Sequence, residues 1–265
     1  MPVVDAASDL ALMAGVAREA GELSIERLKR GVRAWEKSPG QVVTDVDIEL
    51  NRLIRSRLNQ SRAEYGWLSE EEDRSGPPDL SQPTFLVDPI DGTRAFIRGE
   101  TGFCVSLALI LGGETLAGVL FNPMTGEMFT ALAGSGAHLN GNPIRTSEAS
   151  EVDTCLIVGQ SRVFRNTLRW PLVRHLDPMP NSIAYRIALV AAGSCDAAVA
   201  LGDKADWDLA AATLILSEAG GCACDRMGRS FRYGGADPRL AGVVAAGANL
   251  HPLILDAVLN AVAPA

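Results

Sequence analysis

The 265-residue chain has no apolar run approaching the ~18 residues of a membrane-spanning helix, so no transmembrane helix is expected. Its opening segment, MPVVDAASDLALMAG, carries acids early and lacks a basic n-region, so it does not read as a signal peptide. A soluble cytoplasmic protein is the expectation. Positive charge is also scarce: 24 Lys and Arg stand against 32 Asp and Glu, for a net charge of −8. A binder of the nucleic-acid backbone needs a basic face, so a nucleic-acid partner is not expected. The same deficit leaves small anionic substrates open, because a bound cation reverses the local sign.

Sulfur and imidazole are thinly spread. Cys104, Cys155, Cys195, Cys222 and Cys224 are odd in number and scattered, which is no disulfide framework in a chain of this length. Cys222 and Cys224 form a CxC with no second Cys or His pair after it, so a soft-metal site has little support. His138, His175 and His251 lie far apart without ligand spacing. A Ser–His–Asp nucleophile would lack its usual GxSxG elbow. Long linkers, repeats and low-complexity segments are missing as well.

What the chain does have is 47% apolar and 21% charged residues, enough for a sizeable core in one large domain or two closely packed halves. Leu12, Val16, Ala20, Leu23 and Leu28 recur at near-helical spacing over 8–30, with Gly31 as a stop. KSPGQVV (37–43) reads as a loop entering an extended piece. Thr44 caps a second helix whose opening turns hold Asp45, Asp47 and Glu49, where negative charge suits the helix dipole. GWLS, TFLVDP, CVSLALIL, TLAGVLFN and MFTALAG read as strands, with a polar loop at 74–83 and a hairpin turn at NPMTGE. The glycine-rich 134–144 sits between strands and reads as turns rather than a phosphate loop. From about residue 151 strands and helices alternate, which favours an α/β layer. The expected organisation is a 1–150 half and a 151–265 half forming one compact unit.

Four acidic spots stand at the edges of apolar elements: Asp47, Glu70 with Glu71, Asp88 with Asp91, and Asp206 with Asp208. Any one alone reads as a cap or a solvated rim. LVDPIDGTRAF (86–96) resists that reading. A plain strand would send acids three residues apart to opposite faces. Pro89 fixes a bend and Gly92 permits a tight turn, so both carboxylates and the Ile90 carbonyl can meet. Oxygen-only ligation suits Mg²⁺ or Mn²⁺, and a divalent ion removes the cost of two adjacent carboxylates. Gly92 and Thr93 present N–H groups at a helix start, where phosphate binds. Together these point to metal-assisted phosphate ester hydrolysis.

The ordered set VVTDVD (42–47), LSEE (68–71), VDPIDGTRAF (87–96) and ADWDLAAATLILSEAGG (205–221) resembles the inositol monophosphatase family of magnesium-dependent, lithium-sensitive phosphatases, and it covers nearly the whole chain. The resemblance implies a layered αβαβα sandwich, commonly a homodimer. It places Glu70, Asp88, the Ile90 carbonyl, Asp91 and Asp208 as ligands of two or three Mg²⁺ ions. It pairs Thr93 with Asp47, close to Glu70, to orient and deprotonate the attacking water. Gly92 and Thr93 fall on the phosphate cradle, and Ala184 and Asp208 on substrate contacts.

The departures concern substrate. The glutamate that often reaches sugar hydroxyls in inositol-preferring members falls on Ala200, and GDKAD (202–206) runs one residue longer than the usual connection. Lys204 or Asp206 then becomes a candidate substrate contact. TRAFIRG resembles the histidinol-phosphatase branch, while DWDxAA is compatible with relatives that act on 3′-phosphoadenosine 5′-phosphate. The leading expectation is a phosphomonoesterase for a small phosphorylated polyol such as inositol 1-phosphate. The alternatives are the bisphosphate nucleotidase, the histidinol-phosphatase and, from another class, a catalytically weak member that binds a partner.

Overall fold

The computed structural model describes residues 4–73, 76, 78–160, 164 and 174–262. Part of the predicted 74–83 loop therefore lies outside the described residues. The chain opens with helix α1 (Ala6–Arg30), which buries Met13, Val16, Ala17 and Ala20 on one stripe. A hairpin, β1 (Ala34–Ser38) and β2 (Gln41–Thr44), follows where a loop is predicted over 37–43. Helix α2 (Asp45–Ser61) starts at Thr44 with a reciprocal capping box: the Thr44 side chain accepts from Asp47 N, and Asp47 reaches back to Thr44 N.

Strands β3 (Gly66–Ser69), β4 (Thr84–Asp91), β5 (Cys104–Leu111), β6 (Glu114–Asn122), β7 (Glu127–Leu132), β8 (Ala137–Leu139) and β9 (Asn142–Pro143) form one sheet in chain order. Only the β3–β4 pair is parallel. Short pairs β8 and β9 thus occupy the 134–144 segment expected to be turns alone. Between β4 and β5 sits helix α3 (Thr93–Ile97).

Strands β10 (Leu156–Gly159), β11 (Arg174–His175) and β12 (Ala197–Ala200) begin a second sheet, with helix α4 (Ile183–Ala191) before β12. A two-residue strand, β13 (Lys204–Ala205), leads into helix α5 (Asp206–Glu218). Then come β14 (Gly221–Cys224), β15 (Arg239–Leu240), β16 (Val243–Gly247) and helix α6 (His251–Val262). The second sheet has the order β11-β10-β12-β16-β14, and β13 pairs separately with β15.

The layers follow from burial. α1 and α2 cover one face of the large sheet through Leu50, Ile54, Phe85 and Val105. α4 and α5 fill the space between the two sheets, where Ile187, Leu209 and Ile215 pack with Leu120, Phe129 and Val158. α6 closes the outer face of the second sheet through Ile254 and Val258. The order is αβαβα. α5 is apolar all round because both sheets press on it, so it lacks a polar face. No helix among the described residues is long and apolar enough to cross a membrane.

Candidate active site

The bend predicted at Pro89 takes the form of a bulge within β4. Asp88 pairs with Ser106 and Asp91 with Cys104, so three steps on β4 match two on β5. One extra residue reverses the alternation of faces. Asp88 and Asp91 therefore point the same way, which a regular strand would forbid. Asp88 Oδ1 accepts from Ile90 N at 2.9 Å and so braces the bulge.

Three carboxylates then converge. Asp88, Asp91 and Asp208 each offer an oxygen, and these oxygens all lie within 4.8 Å of one another. Asp208 arrives from the first turn of α5, where its Oδ2 accepts from Ala205 N at 2.8 Å. Asp91 is held by the start of α4: Ser182 Oγ and Ala184 N donate to its Oδ2 at 2.6 and 2.8 Å. Among the described residues no Lys, Arg or His stands within 4.0 Å of these three acids.

The electrostatics record the crowding. Burial, then the charges of Glu70, Asp91 and Asp208, hold the Asp88 carboxyl well above the usual carboxylate range. Burial also raises Asp91, against the lowering effect of its bonds from Ser182 and Ala184. Burial and Asp91 push Asp208 up to about 7. Glu70 rises to about 8 through burial, then Asp208 and Glu71. Burial likewise lifts Asp47 to about 7, opposed by its hydrogen bond from Thr44. Oxygen-only donors with no paired cation, each unwilling to ionise beside the next, fit a hard divalent ion.

Glu70 stands at the rim. Lys37, on the β1–β2 hairpin, donates to Glu70 O at 2.8 Å and to Glu71 Oε2 at 3.1 Å, with Glu70 Oε1 3.8 Å away. Lys37 lies in the 37–43 segment expected to be a loop, and no local pattern marks its reach to these acids. Thr93 Oγ1 donates to the Ile90 carbonyl at 3.2 Å, while Asp47 Oδ2 is taken by Thr44 N and Thr44 Oγ1. Thr93 and Asp47, expected to act as a pair on the attacking water, each make local hydrogen bonds within three residues. Ala95 N and Phe96 N both donate to Gly92 O, so α3 starts at Thr93, and the Thr93 and Arg94 amides precede the first bond of its ladder.

Two other candidate contacts are buried and hydrogen-bonded. Ala184 is fully buried and its N–H is committed to Asp91, so it acts on the site through that carboxylate. Asp206 is buried and accepts from Gly234 N at 2.8 Å, which anchors the 234 turn. Lys204 lines a cavity of about 340 Å³ together with Asp91, Asp208, Asn181, Arg186 and Ala200. Arg186 and Ser182 had no functional signal in the sequence. Nothing local links Ser182 to an aspartate 91 positions earlier. His251 Nε2 lies 3.4 Å from Cys224 Sγ, but the metal-competent group among the described residues is the aspartate trio.

An αβαβα sandwich with an unpaired carboxylate trio at a bulged strand end defines a metal-dependent phosphatase. The chain belongs to the inositol monophosphatase family, whose family model matches residues 5–263. It is 32% identical over 235 residues to inositol monophosphatase 1 of Solanum lycopersicum, covering 84% of this chain and 86% of that one. It is 33% identical over 229 residues to the Nus factor SuhB of Xylella fastidiosa, covering 82% of each. It is 32% identical to the histidinol-phosphatase of Chlorobaculum parvum, covering 83% of this chain and 87% of that one. Among solved structures, the Thermotoga maritima IMPase superposes with a TM-score of 0.83 at 27% identity, covering 96% of this chain and 98% of the other.

Proposed function

We propose that the chain is a Mg²⁺-dependent phosphomonoesterase for a small phosphorylated polyol such as inositol 1-phosphate. The carrying observation is the convergence of Asp88, Asp91 and Asp208 without a counter-ion. Glu70, Asp88, the Ile90 carbonyl, Asp91 and Asp208 would hold two or three Mg²⁺ ions, or Mn²⁺ in their place. Bound there, the ions would supply Lewis acidity toward the phosphate and lower the pKa of the attacking water. Glu70, Asp47 and Thr93 orient that water and take its proton. Gly92 and Thr93 amides receive the phosphate oxygens. The 1–150 half carries most of this set, and the 151–265 half supplies Asp208 and the substrate wall. The resemblance further supports a homodimer, which light scattering checks.

A second reading, the 3′(2′),5′-bisphosphate nucleotidase, is favoured by the cavity itself. Beyond Asp91 and Asp208 its charged lining is cationic, Arg186 and Lys204, and Ala200 offers no carboxylate to hydroxyls. A substrate with a second phosphate suits that lining. The test is phosphate release over inositol 1-phosphate, histidinol phosphate and 3′-phosphoadenosine 5′-phosphate, with wild type and Asp91→Asn. Folded Asp91→Asn should lose nearly all Mg²⁺-dependent release, excess chelator should do the same to wild type, and Li⁺ should inhibit. Full activity in chelator would reject the reading. A variant that keeps everything measurable would point to a partner-binding role.

A further inference from the structure

The wall that separates the cavity beside Asp91 from the groove beside Glu70 is a short loop, Leu201–Lys204. It sits where the sequence departs from the family pattern. Leu201, Gly202 and Lys204 line the cavity on one side, and Asp203 and Lys204 line the groove with Glu70 and Lys37 on the other. Lys204 has no ion pair within 4.0 Å among the described residues, and its Nζ donates to the Asp203 carbonyl at 3.0 Å. It shares the cavity lining with Asp91 and Asp208. An ammonium beside the acid cluster and free of a carboxylate partner is suited to an anionic ligand.

What holds this exposed loop in place comes from a distant turn. Arg226 Nη1 donates to Leu201 O at 2.7 Å and to Asp203 Oδ1 at 2.8 Å. The base of Arg226 is rigid: its N–H donates to Ala241 O at 2.9 Å, and the neighbouring Asp225 accepts from Met227 N, Arg229 N and Arg229 Nε. The corner at Gly242 packs closely from the same side, since a Cβ there would meet Ala200 O at 2.5 Å.

We propose that Arg226, which lines neither the cavity nor the groove, is a positioning residue for substrate: it clamps Leu201 and Asp203 and thereby sets the Lys204 ammonium where an anionic group enters beside Asp91 and Asp208. The physiological meaning rests on the phosphomonoesterase reading, while the clamp itself is tested by ligand binding.

The experiment titrates inorganic phosphate into the full chain with Mg²⁺ by calorimetry, using wild type, Arg226→Gln, Arg226→Lys, Lys204→Gln and the Arg226→Gln/Lys204→Gln double variant. Steady-state release from inositol 1-phosphate is measured alongside. Arg226→Gln should weaken phosphate and raise KM about tenfold, the scale of one charge-assisted bond, with kcat little changed. Arg226→Lys should recover most of the loss. The double variant should resemble Lys204→Gln alone, because Arg226 works through Lys204 and their effects overlap. Full additivity, no loss in Arg226→Gln, or a fall in kcat at constant KM would overturn the clamp. If wild type binds phosphate but releases none from any ester, the phosphomonoesterase reading fails and the cycle still decides the clamp. If wild type binds no phosphate, the clamp fails whatever the turnover.

Discussion

Ser182 Oγ donates to Asp91 Oδ2 at 2.6 Å while accepting from Tyr185 N at 2.8 Å. One hydroxyl therefore caps α4 and holds a buried carboxylate of the aspartate trio. Ser182→Ala removes a helix cap and a charge-assisted bond together, so the apo protein should lose about 2–3 kcal/mol in urea denaturation. Its Mg²⁺ affinity by calorimetry should fall as well, and Ser182→Thr should restore much of both. Unchanged stability and metal affinity in Ser182→Ala would sink this role.

The pH dependence of the metal-free protein follows from the raised carboxyls. Glu70 at about 8 and Asp208 and Asp47 at about 7 all lie above their unfolded values. Such groups hold protons more tightly folded than unfolded. Stability is then greatest below the unfolded values near 4 and declines as pH rises toward 7–8. Thermal melts should show Tm falling across pH 5–8 without metal. Mg²⁺ should raise Tm more at pH 8 than at pH 6, because binding displaces those protons. A metal-free Tm that climbs from pH 5 to 8 would contradict the crowding.

Gly92 takes φ +98°, and a Cβ there would meet Gly102 O at 2.9 Å and Ser182 N at 3.0 Å. Both obstacles are backbone and cannot swing away. Gly92→Ala should therefore cost at least about 1–3 kcal/mol and disturb the α3 start beside the trio. Denaturation midpoints and phosphate release should fall together. A variant as stable as wild type would show the turn to be slack.

Asp206→Ala separates anchoring from recognition. Loss of the buried bond to Gly234 N should cost about 1–3 kcal/mol. The ranking of the three phosphate esters should stay the same, whereas Lys204→Gln should alter it. A changed ranking in Asp206→Ala at intact stability would restore Asp206 as a substrate contact.

Much of this molecule was legible in one dimension because the signals are local. Apolar spacing marked α1 and α2 to within a few residues, and the alternation of strands and helices marked the layer after residue 150, since such periodicity depends only on which side chains must be buried. Thr44 was readable as a cap because its acceptor and donors lie within three residues. Asp88 and Asp91 were readable as partners because proline and glycine bracket them. The sequence by itself thus determined the family, the first two helices, the central strands and the identity of the candidate acids. Only the tertiary structure decided how those acids face one another and who holds them. The β4 bulge, the grip of Ser182 on Asp91, the reach of Lys37 to Glu71 and the hold of Arg226 on Leu201 and Asp203 join residues 23 to 91 positions apart, or depend on strand register. Such contacts are set by how two sheets and the helices between them pack, and no local propensity encodes that distance.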